Sequence, residues 1–226
     1  MLRHIINNPT VTVFHEGSVK GFLHHPEVAG DCGLVLTHGA GGNCKAPLLV
    51  TIADAFCAAG YHVLRCDMAF RQHKPFGPPS PATSGNDRAS LRAAVAEMRK
   101  MVGGTVILGG HSYGGRQSTM LAAEAPGLVE GLLLLSYPLH PPGKPAQPRT
   151  AHFPALRTPA LFVHGTKDPF GTIEELSEAL KAIPARTELI TVSGAGHDVN
   201  RGKFDLAGMV IASLRALIAA QAEHHS

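Results

Sequence analysis

Thr105-Val106-Ile107-Leu108-Gly109-Gly110-His111-Ser112-Tyr113-Gly114-Gly115 is the stretch whose reading decides the fold. A β-branched and apolar run feeds directly into G-x-S-x-G, and residues 117–125 continue in helical composition. A serine on such a strand-to-helix turn is held in a tight, strained backbone, with its hydroxyl lifted off the sheet edge. Glycine is needed at 110 and 114, because side chains there would collide with the neighbouring strand and helix. Ser112 is therefore the candidate nucleophile. The five-residue signature is weak alone in a chain with 25 glycines, so its weight comes from context.

Two further groups supply that context. Leu161-Phe162-Val163-His164-Gly165-Thr166-Lys167-Asp168-Pro169 is an apolar strand ending in a turn that carries Asp168. Leu189-Ile190-Thr191-Val192-Ser193-Gly194-Ala195-Gly196-His197-Asp198 is a strand ending in a glycine-rich loop that carries His197. Each candidate residue follows the carboxyl end of a strand, the edge where open parallel sheets build sites. A serine hydroxyl needs a base to take its proton as it attacks. Imidazole, with an ordinary pKa of about 6.5, accepts that proton and returns it to the leaving group. A carboxylate holds the imidazole tautomer and stabilises the imidazolium. The chain order Ser, Asp, His is that of the α/β-hydrolase type, unlike the chymotrypsin and subtilisin orders.

The stretch Leu34-Val35-Leu36-Thr37-His38-Gly39-Ala40-Gly41-Gly42 reads as a strand and a glycine-rich loop. A tetrahedral intermediate needs hydrogen-bond donors for its oxyanion. The expected donors are the backbone N–H of Tyr113 and that of Ala40, with Gly41 as the near alternative and as a candidate substrate contact. A phosphate-binding loop also ends in lysine, but here Cys44 precedes Lys45 where glycine is required, and Ala46 follows it. Nucleotide binding is set aside on that ground.

Composition sets outer limits. The 226 residues fit one domain, 1–226, and the 44% hydrophobic fraction fills one large core. The net charge of +3 comes from scattered residues, with no basic run to suggest a nucleic-acid face. Cys32, Cys44, Cys57 and Cys66 form no C-x-x-C pair, so neither a metal site nor a disulfide framework is expected. The N-terminal residues lack an apolar h-region, and no apolar run is long enough to span a bilayer. A cytoplasmic protein with reduced thiols, no cofactor and no membrane partner is the expectation. His224-His225 reads as a polar terminus rather than a metal site.

Apolar strands alternate with helical segments along the chain. Strands are expected at residues 11–14, 19–23, 33–37, 61–66, 105–108, 129–136, 160–164 and 188–192. Helices are expected at 46–59, 88–101, 115–125, 172–183 and 206–220, the first ending at Gly60 and the fourth capped by Thr172. The first two strands read as an antiparallel edge. The pattern predicts an α/β fold with a mostly parallel central sheet, helices on both faces and no large cap domain. Two proline-rich stretches, 67–87 and 137–159, read as long loops on the same sheet edge as the candidate triad. Either they form the pocket rim, with Phe70, Arg71, Tyr137, His140 and His152 lining it, or they are rigid surface cover.

These motifs are identified as those of the α/β-hydrolase superfamily, and the resemblance covers essentially the whole chain. Phe70-Arg71-Gln72, Ser136-Tyr137-Pro138-Leu139-His140-Pro141-Pro142-Gly143-Lys144-Pro145 and His164-Gly165-Thr166-Lys167-Asp168-Pro169-Phe170-Gly171 resemble a small bacterial branch. That branch is related to the hydrolase-like domain of the third KANSL subunit and to testis-expressed hydrolase-like proteins. The chain is also similar in size to dienelactone hydrolases, but it has Ser112 where those use cysteine. The ordered Ser112, Asp168 and His197 point to a small-molecule ester or thioester substrate cleaved through an acyl-enzyme. A binding or scaffold role on the same fold, and amide hydrolysis by the same residues, are the alternatives.

Overall fold

The computed structural model describes residues 10–199 and 206–222. His224 and His225 lie outside the described residues. Eight strands form one sheet: β1 (Thr10–Glu16), β2 (Val19–His25), β3 (Gly33–Thr37), β4 (His62–Cys66), β5 (Val106–His111), β6 (Gly131–Leu135), β7 (Ala160–Gly165) and β8 (Thr187–Val192). Their spatial order is β1-β2-β4-β3-β5-β6-β7-β8. β1 pairs antiparallel with β2, and β2 with β4. Every other pairing is parallel.

Among the described residues six helices accompany the sheet: α1 (Pro47–Ala58), α2 (Ala69–His73), α3 (Ser84–Met101), α4 (Tyr113–Glu124), α5 (Ile173–Leu180) and α6 (Leu206–Ala222). Both faces of the sheet are covered, which is why the central strands read as unbroken apolar runs. Side chains alternate across the pleat. Leu34, Leu36, Leu133 and Leu135 pack against α1 and α6. Val35, Leu108, Leu132 and Leu134 pack against α3, α4 and α5. Pro47 opens α1, and Gly60 follows it at φ +93. Thr172 caps α5 through a reciprocal pair of bonds with Glu175. Those bonds, with the contact from His140, hold the Glu175 carboxyl below its usual range.

One segment differs from expectation. Residues 67–87 are not a plain loop: they contain α2 and a 3₁₀ turn at Pro81–Thr83, and α3 begins at Ser84, ahead of Arg88. The reason is non-local. α2 spans only five residues, too few for a periodic pattern. Its first backbone N–H groups are satisfied from α3: Ala69 donates to Ser90 Oγ at 3.2 Å, and Phe70 to Asp87 Oδ1 at 2.9 Å.

The second proline-rich loop packs as cover over the α4 and α5 side. Tyr137 is fully buried, its hydroxyl donates to Arg149 O at 2.7 Å, and its ring meets Phe153 and Phe162. His152 Nε2 lies 2.8 Å from Thr119 Oγ1. His140 Nδ1 bonds Pro141 O, and its Nε2 stands 3.3 Å from Glu175 Oε2. The cysteines are free; burial pushes the Cys44 thiol up to about 12 and Cys57 to about 11, which leaves both as unreactive thiols. Among the described residues no helix is long and apolar enough to cross a membrane, and no group of three metal-ligating side chains occurs.

A buried histidine and a half-buried one give the fold a definite acid sensitivity. Burial, with the nearby Arg65 charge, pushes His24 down to about 4. Burial, with Arg116 and Arg88, pushes His152 to about 4. The unfolded chain takes up protons on these rings near pH 6.5, which the folded chain refuses until about pH 4. Their contribution is therefore complete above pH 6.5 and is lost as pH falls through that window. Allowing for solvent screening, the pair is expected to forfeit on the order of 2 kcal/mol by pH 5. Urea melts at pH 7.5 and 5.0 check this, and His152→Gln should show a shallower pH slope. Equal stability at the two pH values would contradict it.

Candidate active site

β5 delivers Ser112 at its carboxyl end. Ser112 has φ 53 and ψ −117, a positive φ that non-glycine residues seldom adopt. Its N–H donates to Leu135 O of β6 at 2.8 Å, which pins the turn to the neighbouring strand. A Cβ at Gly110 would stand 2.8 Å from Gly114 C, and one at Gly114 would stand 2.6 Å from His38 O. The strand, the turn and α4 pack this closely only because both positions carry hydrogen.

Three side chains from three strand ends form one hydrogen-bonded chain. Ser112 Oγ lies 2.8 Å from His197 Nε2, and His197 Nδ1 lies 2.8 Å from Asp168 Oδ2. Asp168 is fully buried in its side chain, and its Oδ1 accepts Phe170 N–H at 2.9 Å. The loops bearing Asp168 and His197 are bonded to each other: Lys167 N–H donates to Ala195 O at 2.8 Å, and Gly194 N–H to Thr166 Oγ1 at 2.9 Å. The Phe170 ring lies on the His197 ring, with centroids 4.3 Å apart. With Nδ1–H donated to the carboxylate, Nε2 keeps the lone pair that faces the Ser112 hydroxyl. That is the protonation pattern of a base ready to accept the serine proton.

Two more histidines support this arrangement. His111 Nε2 donates to the His197 carbonyl at 3.0 Å, so the residue before Ser112 holds the backbone of the His197 loop. Burial pushes His111 below the usual range, opposed by that backbone bond. His38 is also pushed down by burial. It stays neutral, with Nδ1 donating to Gly39 O at 2.9 Å and Nε2 accepting Met68 N–H at 3.3 Å.

The Gly39–Gly42 turn lies across from Ser112. A trans peptide sets its N–H opposite its carbonyl. His38 and Gly42 N–H both hold Gly39 O, which fixes the direction of Ala40 N–H. Tyr113 is the first residue of α4, where a backbone N–H has no intrahelical acceptor. Ala40, Gly41, Ser112 and His197 share one cavity of about 440 Å³. Its apolar wall is the start of α1, Ala46 to Leu49, with Phe170 opposite, and its charged side chain is Asp198.

The expected rim of that cavity is corrected. Of the candidate lining residues, Gly41 is there. Phe70 instead borders a second cleft, of about 440 Å³, against Pro78, Pro79 and Asn86. Arg71 lies behind the Gly39–Gly42 turn, with Nη2 donating to Ala40 O at 2.7 Å. Tyr137, His140 and His152 are packed in the loop over α4 and α5 and line neither cavity. Loop length and proline content carry no information on which way a loop folds. Phe170, His111 and the first turn of α1 were not anticipated. Phe170 had a signal: an aspartate commonly accepts the N–H two residues on, which brings that residue's side chain beside the carboxylate.

The comparisons agree with this architecture. The Anabaena variabilis dienelactone hydrolase structure is 19% identical, with a TM-score of 0.67, covering 94% of this chain and 97% of its own. Est1E from Butyrivibrio proteoclasticus is 18% identical, with a TM-score of 0.71, covering 92% and 99%. A Xanthomonas campestris protein described as an α/β serine hydrolase without lid is 18% identical, with a TM-score of 0.69, covering 93% and 95%. At these identities the likeness establishes the fold. A family model described as an alpha/beta hydrolase domain matches residues 30–212, most of the chain and all three members of the hydrogen-bonded relay. The protein belongs to the α/β-hydrolase domain family.

Proposed function

We propose that the protein is a serine hydrolase that cleaves uncharged ester or thioester bonds through an acyl-enzyme intermediate. The observation that carries this reading is the continuous relay from Ser112 Oγ through His197 to the buried Asp168, at 2.8 Å for each step. Ser112 Oγ attacks the substrate carbonyl while His197 Nε2 takes its proton. The N–H groups of Ala40 and Tyr113 bond the oxyanion that forms. Collapse expels the alcohol or thiol, which leaves with the proton from His197. Water then attacks the acyl-enzyme with His197 again as base, releasing the acid and restoring Ser112.

The cavity supports the substrate class. Its wall is apolar, its histidines are His38, His111 and His197, and among the described residues neither lysine nor arginine lines it. An anionic acyl group would meet no lysine or arginine among the described lining residues. Arg71, Lys74, Lys144 and Arg149, the cations near the proline-rich loops, all lie off this cavity.

A fluorophosphonate probe tests the reading without a known substrate. Mass spectrometry should find the adduct on Ser112, and Ser112→Ala and His197→Ala should abolish it. Folded protein that takes no label would overturn the proposal. It would favour a binding role on the same fold.

A further inference from the structure

The short helix α2 is bonded to the Ala40 side of the site that the reaction needs for its oxyanion, and through Asp87 to the side chain of Tyr113. Arg71, on this helix, is 7% exposed. Nη2 donates to Ala40 O at 2.7 Å and to Gly77 O at 3.1 Å, and Nη1 donates to Lys74 O at 3.0 Å. The guanidinium also lies over the Phe70 ring, 4.8 Å from its centroid. Burying a guanidinium is costly unless its N–H groups are bonded; three carbonyls bond Nη1 and Nη2 here, while Nε is buried without a partner.

The bond to Ala40 O is the informative one. The carbonyl before it, Gly39 O, is already held by His38 and by Gly42 N–H. Two consecutive peptides of the turn are thus tied down: Gly39 O shares its peptide with Ala40 N–H, and Ala40 O, held by Arg71, shares its peptide with Gly41 N–H. The neighbouring residue on α2 reaches, through Asp87, the side chain of the residue that bears the other donor. Phe70 N–H donates to Asp87 Oδ1 at 2.9 Å, and Asp87 Oδ2 accepts the Tyr113 hydroxyl at 2.8 Å. Asp87 is fully buried. The Phe70 ring sits between His38 and Tyr113, with centroid distances of 5.6 and 5.8 Å.

We infer that Arg71 is a positioning residue: it holds the Ala40–Gly41 peptide, which anchors Ala40 from its carboxyl side, and through α2 it sets the separation between this turn and Tyr113. This rests on the serine-hydrolase reading above. Arg71 lies outside the cavity beside Ser112, so it acts on the turn rather than on substrate.

Arg71→Met and Arg71→Lys, compared with the wild type, test this by two independent readouts. The first is ester hydrolysis, with kcat and KM resolved and active sites titrated by fluorophosphonate. Displacing a donor by a fraction of an ångström to an ångström is expected to lower kcat about 100-fold in Arg71→Met, with KM changed less than about threefold. Arg71→Lys should recover part of kcat, since an ammonium can reach one of the carbonyls. The second readout is backbone amide exchange at residues 39–42, which should accelerate in Arg71→Met. A role confined to general stability would lower the melting temperature and leave kcat per titrated site unchanged. A folded Arg71→Met with kcat within about threefold of wild type, or with unaltered exchange at 39–42, overturns the inference. If Arg71→Met fails to fold, Arg71→Lys carries the same comparison. A wild type that neither labels nor hydrolyses removes the serine-hydrolase reading by itself, and the exchange arm still decides whether Arg71 holds the turn.

Discussion

Ser112→Ala is expected to lower kcat on any ester the wild type turns over by about 10⁵-fold. The covalent route ends because no other hydroxyl takes part in the relay: His197 Nε2 bonds Ser112 Oγ and nothing replaces it. The fold should barely respond. Ser112 loses one side-chain hydrogen bond, which contributes on the order of 1 kcal/mol, and alanine carries the same positive φ strain as serine. Substrate affinity should also hold, because the apolar wall and the Ala40 and Tyr113 donors are untouched. Stopped-flow or steady-state assays with aryl esters measure it. A variant that keeps even a hundredth of wild-type turnover, in protein free of contaminating esterase, is incompatible with Ser112 as the nucleophile.

The second large effect is Asp168→Asn, expected to cost about 10⁴-fold in kcat. The geometry says why so small a change matters. Asp168 Oδ1 accepts Phe170 N–H, so the amide oxygen of asparagine takes that place and its NH₂ faces His197 Nδ1. The imidazole must then accept at Nδ1 and carry its proton on Nε2, pointing at Ser112. A base already bearing the proton it should receive cannot activate the hydroxyl. The melting temperature should change little, since volume and the Phe170 bond are retained. Turnover near the wild-type level would show that the carboxylate does not set the tautomer.

The central sheet was readable because its physics is local. Leu34 to Leu36, Leu132 to Leu135 and Leu161 to Val163 are apolar on both faces, and only a doubly covered parallel strand asks for that. Ser112, Asp168 and His197 were readable because each follows such a strand, and strand ends in a parallel sheet converge on one edge. α2 was unreadable because its caps come from Asp87 and Ser90, 17 and 21 residues away. Tyr137 was misplaced for a related reason. Its burial depends on Phe153, Phe162 and Arg149 closing around it, and a run of prolines does not reveal those partners. The cavity wall at the start of α1 is likewise a product of packing, since nothing in Ala46-Pro47-Leu48-Leu49 marks those residues as facing Ser112.

That wall has a consequence for how the protein can change. The loops bearing Asp168 and His197 are bonded to each other across the ends of β7 and β8, while the wall residues belong to α1, which follows β3. Substitutions at the first turn of α1 reshape the space offered to an acyl group without passing through the relay. Substrate range and chemical competence are therefore separately inherited traits in this chain. A lineage, or a directed-evolution campaign, can explore new ligands at Leu48 while the relay stays as it is.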